Sequence, residues 1–200
     1  MRTKVAVLAL ALSLFCIPAL AQLNGHSEVS VDFTGNFQKQ TSGYGLTDSP
    51  SYSGGFLINY RYNFSNWSAL EVNYAQNRYS QYFTPSDFAT QSNNHEVTLA
   101  YVSNLGFSSN ARFRPFVEAG TGGIIFSDIA QGTSFPLLPT QDRMVFLYGG
   151  GVDMRAIDHF SVRLGYRGLL YKAPDFALPP AITNGMTNMA EPYVGVVFHF

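Results

Sequence analysis

From residue 28 onward, apolar side chains return at every second position in eight runs separated by polar or Gly/Pro-rich stretches. The three-and-four spacing of an amphipathic helix is nearly absent. This pattern predicts strands over 28 to 37, 52 to 62, 67 to 79, 94 to 104, 112 to 126, 143 to 155, 159 to 172 and 190 to 200. Most reach the roughly 9 to 11 residues that a tilted strand needs to cross a membrane. The connections alternate between long (38 to 51, 80 to 93, 127 to 142, 173 to 189) and short (63 to 66, 105 to 111, 156 to 158). An up-and-down meander with tight turns at one end and loops at the other has this rhythm.

The alternation also sorts the charges. Val29, Val31, Phe33 and Phe37 share one parity of the first strand, and Asp32 has the other. Val194, Val196, Phe198 and Phe200 oppose Glu191, Tyr193 and His199 in the last. Continued through every strand, this split puts Asp32, Arg61, Glu71, Glu96, Arg114, Glu118, Asp153, Arg155, Arg163, Arg167 and Glu191 on a single face. The opposite face is aliphatic and aromatic, and only Arg78, near a loop end, breaks it. A soluble sandwich turns its charges to water and its apolar face inward. An apolar face free of mid-strand charge suits lipid instead, where a midplane Arg or Lys costs about 2 to 4 kcal/mol. A sheet in lipid must close, because an open edge leaves backbone groups unpaired. The fold expected is all-β, an eight-stranded antiparallel up-and-down transmembrane β-barrel, with the charged face lining its interior as an ion-pair network. Glu118, with Arg163 or Arg167, is the expected centre of that network.

Composition narrows the chemistry. The chain has 200 residues, 46% hydrophobic, 15% aromatic and 12% charged, with twelve basic and thirteen acidic residues and a formal net charge of −1. No phosphate-seeking surface stands out, so no nucleic-acid partner is expected. A single Cys and four scattered His argue against a disulfide scaffold or a metal site, and neither metal nor cofactor is expected. Arg2 and Lys4, the apolar run Val5 to Ile17 and the small residues Ala19-Leu20-Ala21 read as a cleaved secretory signal over residues 1 to 21. The barrel domain then occupies 22 to 200.

The final Glu191-Pro-Tyr-Val-Gly-Val-Val-Phe-His-Phe200 resembles the C-terminal insertion signal of outer-membrane barrels, with Tyr193, Val194, Val196, Phe198 and Phe200 as its elements. Pro115-Phe-Val-Glu-Ala-Gly-Thr-Gly-Gly123, Gly149-Gly-Gly-Val-Asp-Met-Arg155 and His159-Phe-Ser-Val-Arg-Leu-Gly-Tyr-Arg167 resemble the fifth to seventh strands of the small eight-stranded outer-membrane barrels of OmpA and OmpX type. The resemblance implies the outer membrane of a Gram-negative cell, both termini periplasmic and the long loops extracellular. It also implies a monomer, outer-membrane lipid and lipopolysaccharide around it, and the barrel-assembly machinery as a partner during insertion.

Three functions follow as expectations. The first is a non-enzymatic structural or surface-interaction role through the extracellular loops, with Phe135, Leu137 and Leu138 in the third and Phe176, Leu178 and Ile182 in the fourth as contact candidates. The second is a narrow passage for small or hydrophobic solutes, of the kind attributed to OmpW-type barrels. The third and remotest is a lipid A-modifying hydrolase, since His159 and Ser161 stand two apart as in the His-x-Ser of outer-membrane deacylases. Their place after a short turn, pointing inward, speaks against it. Arg78, at a loop end, could meet a lipopolysaccharide phosphate. The glycines at 120, 122 and 123 and at 149 to 151 are expected to bring strands close or to leave room for Phe116 or Tyr193.

Overall fold

The computed structural model describes residues 27–84, 88–105, 111–128, 139–174 and 185–200. The expected signal segment lies outside them. Ten strands form: β1 (Ser27–Gln38), β2 (Thr41–Gly43), β3 (Leu46–Pro50), β4 (Ser53–Asn63), β5 (Ser68–Thr84), β6 (Phe88–Asn104), β7 (Phe113–Asp128), β8 (Gln141–Ile157), β9 (Phe160–Lys172) and β10 (Met186–His199). Eight follow one another as β5-β4-β1-β10-β9-β8-β7-β6, and pairing of β5 with β6 closes the ring. The ladder can be followed once around from Ser27 through Tyr62, Leu70, Tyr101, Ala119, Tyr148, Gly168 and Ala190. It returns to β1 at Phe37, ten residues along. An eight-stranded barrel, its strands tilted by roughly 35 to 45°, has an interior that side chains can fill.

The two faces separate sharply. Phe33 is 76% exposed and its neighbour Asp32 0%. Val31, Leu99, Phe146, Leu164 and Val196 join Phe33 on the outside, while Arg61, Glu71, Asp153, Arg163 and Arg167 are buried. The sandwich alternative is thereby excluded. Aromatic residues gather outside at the short-turn end, where Phe160 and Phe198 pack with ring centroids 5.1 Å apart and Trp67 and Phe113 are exposed. Such a girdle suits a lipid–water boundary.

Two of the four long connections are strand rather than loop, a correction to the sequence reading. Residues 38 to 51 carry the β2–β3 hairpin, turned by Tyr44 (φ 51°) and Gly45 (φ 77°). Two successive positive φ values are what a tight hairpin with right-handed strand twist requires. The second connection shrinks because β5 and β6 continue upward, paired from Ser80↔Gln91 to Phe83↔Phe88. Both segments lacked the apolar alternation by which the other strands were read.

Parity also flips here. Odd-numbered residues of β4 point inward, whereas in β3 the inward residue is Asp48. The register against β5 moves by one residue, from Gly55↔Asn77 to Pro50↔Gln81. An extra residue in one strand does this.

Inside, two glycines make room for aromatic rings. A Cβ at Gly151 would stand 2.9 Å from the Phe116 ring, and one at Gly165 would collide with Tyr193. Phe116 therefore uses one of the expected glycine clusters. Tyr193 uses Gly165, outside both.

Two outcomes are expected. Gly165→Val should displace Tyr193, destabilise the barrel by about 1 to 3 kcal/mol and reduce the compact species in unheated gel electrophoresis. Asp48, buried on β3 and accepting a 2.8 Å hydrogen bond from Gln81, is pushed up to about 6 by burial. A carboxyl whose folded-state value is raised stabilises the hairpin below pH 4 and loses that contribution as pH rises through 6. Hydrogen-exchange protection of residues 41 to 50 should fall by about one to two powers of ten between pH 4 and 7. Asp48→Asn should abolish the dependence.

Candidate functional site

Charged side chains fill the short-turn half of the lumen in a pattern set by the ladder. Arg61 and Glu71 are directly opposed on β4 and β5, Asp153 and Arg163 on β8 and β9, and Arg167 and Glu191 on β9 and β10. Opposed residues on one face stand close enough to bond. The nearest contact is 2.6 Å in each of the three pairs.

Longer arms then cross the barrel. Arg163 grips Asp153 with two nitrogens (2.6 and 3.0 Å) and reaches Glu71 and Glu28, each at 3.3 Å. Arg61 reaches Asp153 at 3.4 Å and Arg114 reaches Glu28 at 3.0 Å. The Arg61 and Arg163 guanidinium carbons lie 4.2 and 5.2 Å from the centre of the Phe116 ring. This cluster unites six strands, β1, β4, β5, β7, β8 and β9. A smaller one stands further in, where Arg167 binds Glu191 and, at 2.9 Å, Glu96.

Two predicted residues lie apart from these bonds, and a third, Arg155, stands at the lumen mouth. Asp32 is held by Ser30 at 2.8 Å and Asn59 at 3.0 Å. Arg155 is half-exposed at the short-turn end, opposite Ser161 in the ladder. Glu118 is buried at 5% exposure, yet among the described residues its carboxylate has no hydrogen bond or ion pair. The centre is therefore Arg163 with Asp153, Glu71 and Glu28, and the expectation for Glu118 is corrected. Glu118 sits opposite Gly149 on β8 and Val102 on β6, neither of which offers a charged side chain. Glu28 was missed, although it shares the parity of Ser30 and Asp32.

The long-loop half of the lumen is divided differently. Asn36, Asn77, Asn94 and Ser92 form a chain of side-chain hydrogen bonds of 3.2, 2.8 and 3.1 Å across β1, β5 and β6. On the β7 to β10 side, Ile124, Phe126, Val145, Leu147, Leu169, Tyr171 and Met189 pack as one buried apolar cluster. The Tyr171 hydroxyl crosses to Gln38 Oε1 at 3.0 Å. No parity argument announced an apolar layer inside.

At the short-turn mouth, Ser161 Oγ lies 2.7 Å from His199 Nε2, and His199 Nδ1 lies 3.4 Å from Glu28. His159, the histidine considered first, stands in the turn, its Nδ1 3.2 Å from the His199 carbonyl, and Glu191 is bound to Arg167. Ser161 is only 2% exposed and Glu28 is already held by Arg114 and Arg163. The arrangement ties β9, β10 and β1 together and leaves the hydroxyl no open side for a substrate. Val194, Val196 and Phe198 face outward and Tyr193 inward, while the Phe200 ring packs tilted against Phe198, centroids 5.6 Å apart. The loop candidates Phe135, Leu137, Leu138, Phe176, Leu178 and Ile182 lie outside the described residues.

Arg163→Ala would take one guanidinium from three buried carboxylates, leaving them to Arg61 and Arg114, and should destabilise the barrel by about 3 to 5 kcal/mol. Glu118→Gln removes a carboxylate that makes no hydrogen bond or ion pair among the described residues, and it should be neutral or stabilising. Urea unfolding in lipid vesicles measures both. Equal losses would contradict the arrangement described.

The family model "Outer membrane protein beta-barrel domain" matches residues 7–200. No curated protein matches. Among solved structures, the outer membrane protein OprG of Pseudomonas aeruginosa aligns with a TM-score of 0.65 at 13% identity, over 88% of this chain and 96% of that one. Ail, the attachment invasion locus protein of Yersinia pestis, was solved in complex with the heparin analogue sucrose octasulfate. It aligns at 0.57 and 17%, over 89% of this chain and 100% of that one. Neisserial surface protein A aligns at 0.57 and 18%, over 88% and 97%. At such identities the structural likeness speaks for the fold. With the match over nearly its whole length, and with its closed eight-stranded ring turned apolar side out, the chain belongs to the outer membrane β-barrel family.

Proposed function

We propose that this barrel is a non-enzymatic surface protein that acts through its long-loop end, with that end outside the cell and the short turns and both termini in the periplasm. The observation that carries this reading is the filled lumen. Ion pairs occupy one half and a packed apolar cluster beside an amide chain occupies the other. The wall continues past the apolar band in β2, β3 and the far parts of β5 and β6, giving the long-loop end a surface of its own. The name of Ail, an attachment protein, is in keeping with such a role for this fold. Insertion by the barrel-assembly machinery through the C-terminal strand, and a monomeric state in lipid, belong to the same reading.

A narrow passage for small or hydrophobic solutes is the second reading. Its support is the apolar strip of Ile124, Phe126, Val145, Leu147 and Leu169 along the outer half of the lumen.

Single-channel recording in planar bilayers separates the two. The surface-protein reading expects no steady conductance, and a large steady current would replace it with the passage. Sidedness is tested with Ser42→Cys, on the exposed side of β2. Cys16, the chain's one cysteine, lies in the expected signal segment. A membrane-impermeant maleimide should label Ser42→Cys in intact cells. Labelling only after the outer membrane is opened would reverse the orientation.

A further inference from the structure

The outward surface is not apolar to the same depth all round. On β9 it runs through Phe160, Val162, Leu164 and Tyr166 to Leu170, and on β1 through Val29, Val31 and Phe33 to Phe37. On β5 and β6 it stops after three cross-strand pairs: Leu70↔Tyr101, Val72↔Leu99 and Tyr74↔Val97. The next three are Gln76↔His95, Arg78↔Asn93 and Ser80↔Gln91. The transverse row through the first of these reads Phe56, Gln76, His95, Ile125 across β4 to β7. Phe56 and Ile125 are exposed to the outside, so a polar pair stands between two apolar neighbours. Hydrocarbon gives amide, imidazole and guanidinium groups no partner, so this break in the apolar surface suits a polar ligand.

The groups are already positioned. Arg78 Nε donates to Asn93 Oδ1 at 2.9 Å, and the Tyr74 hydroxyl lies 2.9 Å from His95 Nδ1 beneath a stacked ring pair. Among the described residues this leaves the two terminal Arg78 nitrogens and His95 Nε2 without a partner. Beyond Phe56, the next outward position of β4 is Gly54, where a Cβ would meet only the Thr34 carbonyl oxygen, at 3.6 Å.

From this geometry we infer a binding site on the lipid-facing wall for the phosphorylated sugar headgroup of an outer-leaflet glycolipid, lipid A in lipopolysaccharide. Arg78 and His95 hold a phosphate, the guanidinium fork matching two of its oxygens. Gln76, Asn93 and Gln91 meet sugar hydroxyls and acyl carbonyls. The three pairs span about 13 Å along the strands, a column that a phosphorylated disaccharide fills and a glycerophospholipid headgroup does not. The inference rests on the orientation proposed above, which puts this end of β5 and β6 in the outer leaflet.

The test is native mass spectrometry of the whole barrel, released from detergent with bisphosphorylated lipid A, with dephosphorylated lipid A or with phosphatidylglycerol. The wild type should retain one bisphosphorylated lipid A. The double variant Arg78→Gln/His95→Gln should lose retention at least tenfold, and Asn93→Ala, which frees the guanidinium, should lose it partly. Lys172→Gln, an exposed cation on β9, should leave it unchanged. Gel mobility without heating shows that each variant is folded. Undiminished retention in the folded double variant, equal loss in Lys172→Gln, equal retention of the other two lipids, or a second copy of the chain in place of lipid would each overturn the site. The Ser42→Cys labelling is read separately, so a failed site and a reversed orientation are distinguishable.

Discussion

In hydrocarbon a backbone amide has no partner except another strand, and a charged side chain has none except an opposite charge withdrawn from the lipid. Closure meets the first demand: β5 pairs with β6, and no edge remains among the eight barrel strands. Closure also creates the place where the second can be met. With eight strands staggered by ten residues, every second side chain is forced into a narrow cylinder. The strands could carry Arg61, Arg163 and Arg167 through a membrane only because Glu71, Asp153 and Glu191 stand directly across the ladder. Antiparallel register is thus both the scaffold of the wall and the address system of its interior.

That interior changes character along its length. Near the short turns, guanidinium groups bind carboxylates two and three at a time and lie over Phe116, which Gly151 leaves room for. Each carboxylate of the larger cluster is shared between guanidinium groups, so removing one partner is felt by the others. Toward the long loops, the ring is lined by amides on one side and packed hydrocarbon on the other. The hydroxyl of Tyr171 joins the two by reaching Gln38. Both halves pack side chains across the cylinder, by different interactions.

On the wall, what matters is departure from an otherwise apolar surface. Gln76 and His95, set between Phe56 and Ile125, are polar where their neighbours are not. Beyond them β5 and β6 continue with the β2–β3 hairpin as a mixed sheet, Asp48 and Gln81 buried on one face with Phe83, and Tyr82 exposed on the other. Asp48 is inward there only because one extra residue in the chain resets the parity against β5.

Period-two alternation by itself determined the number of barrel strands, their faces and which face meets lipid. A strand has only two sides, and a charge in hydrocarbon is too costly to be placed there by accident. It also identified Arg163, Asp153, Glu71 and Arg61 as interior groups, for the same reason. It was blind where apolar and polar positions do not alternate, as at Tyr82 and Phe83 with an aromatic on each face, and so read the hairpin and the tops of β5 and β6 as loop. It could not say which interior charges bond. Parity gives a side chain's direction and not its height, and height is fixed only by the stagger accumulated around the closed ring. That stagger, a property of eight strands together, placed Arg163 among Asp153, Glu71 and Glu28, kept Glu118 outside the ion pairs of the described residues, and set Gln76 and His95 in an apolar row.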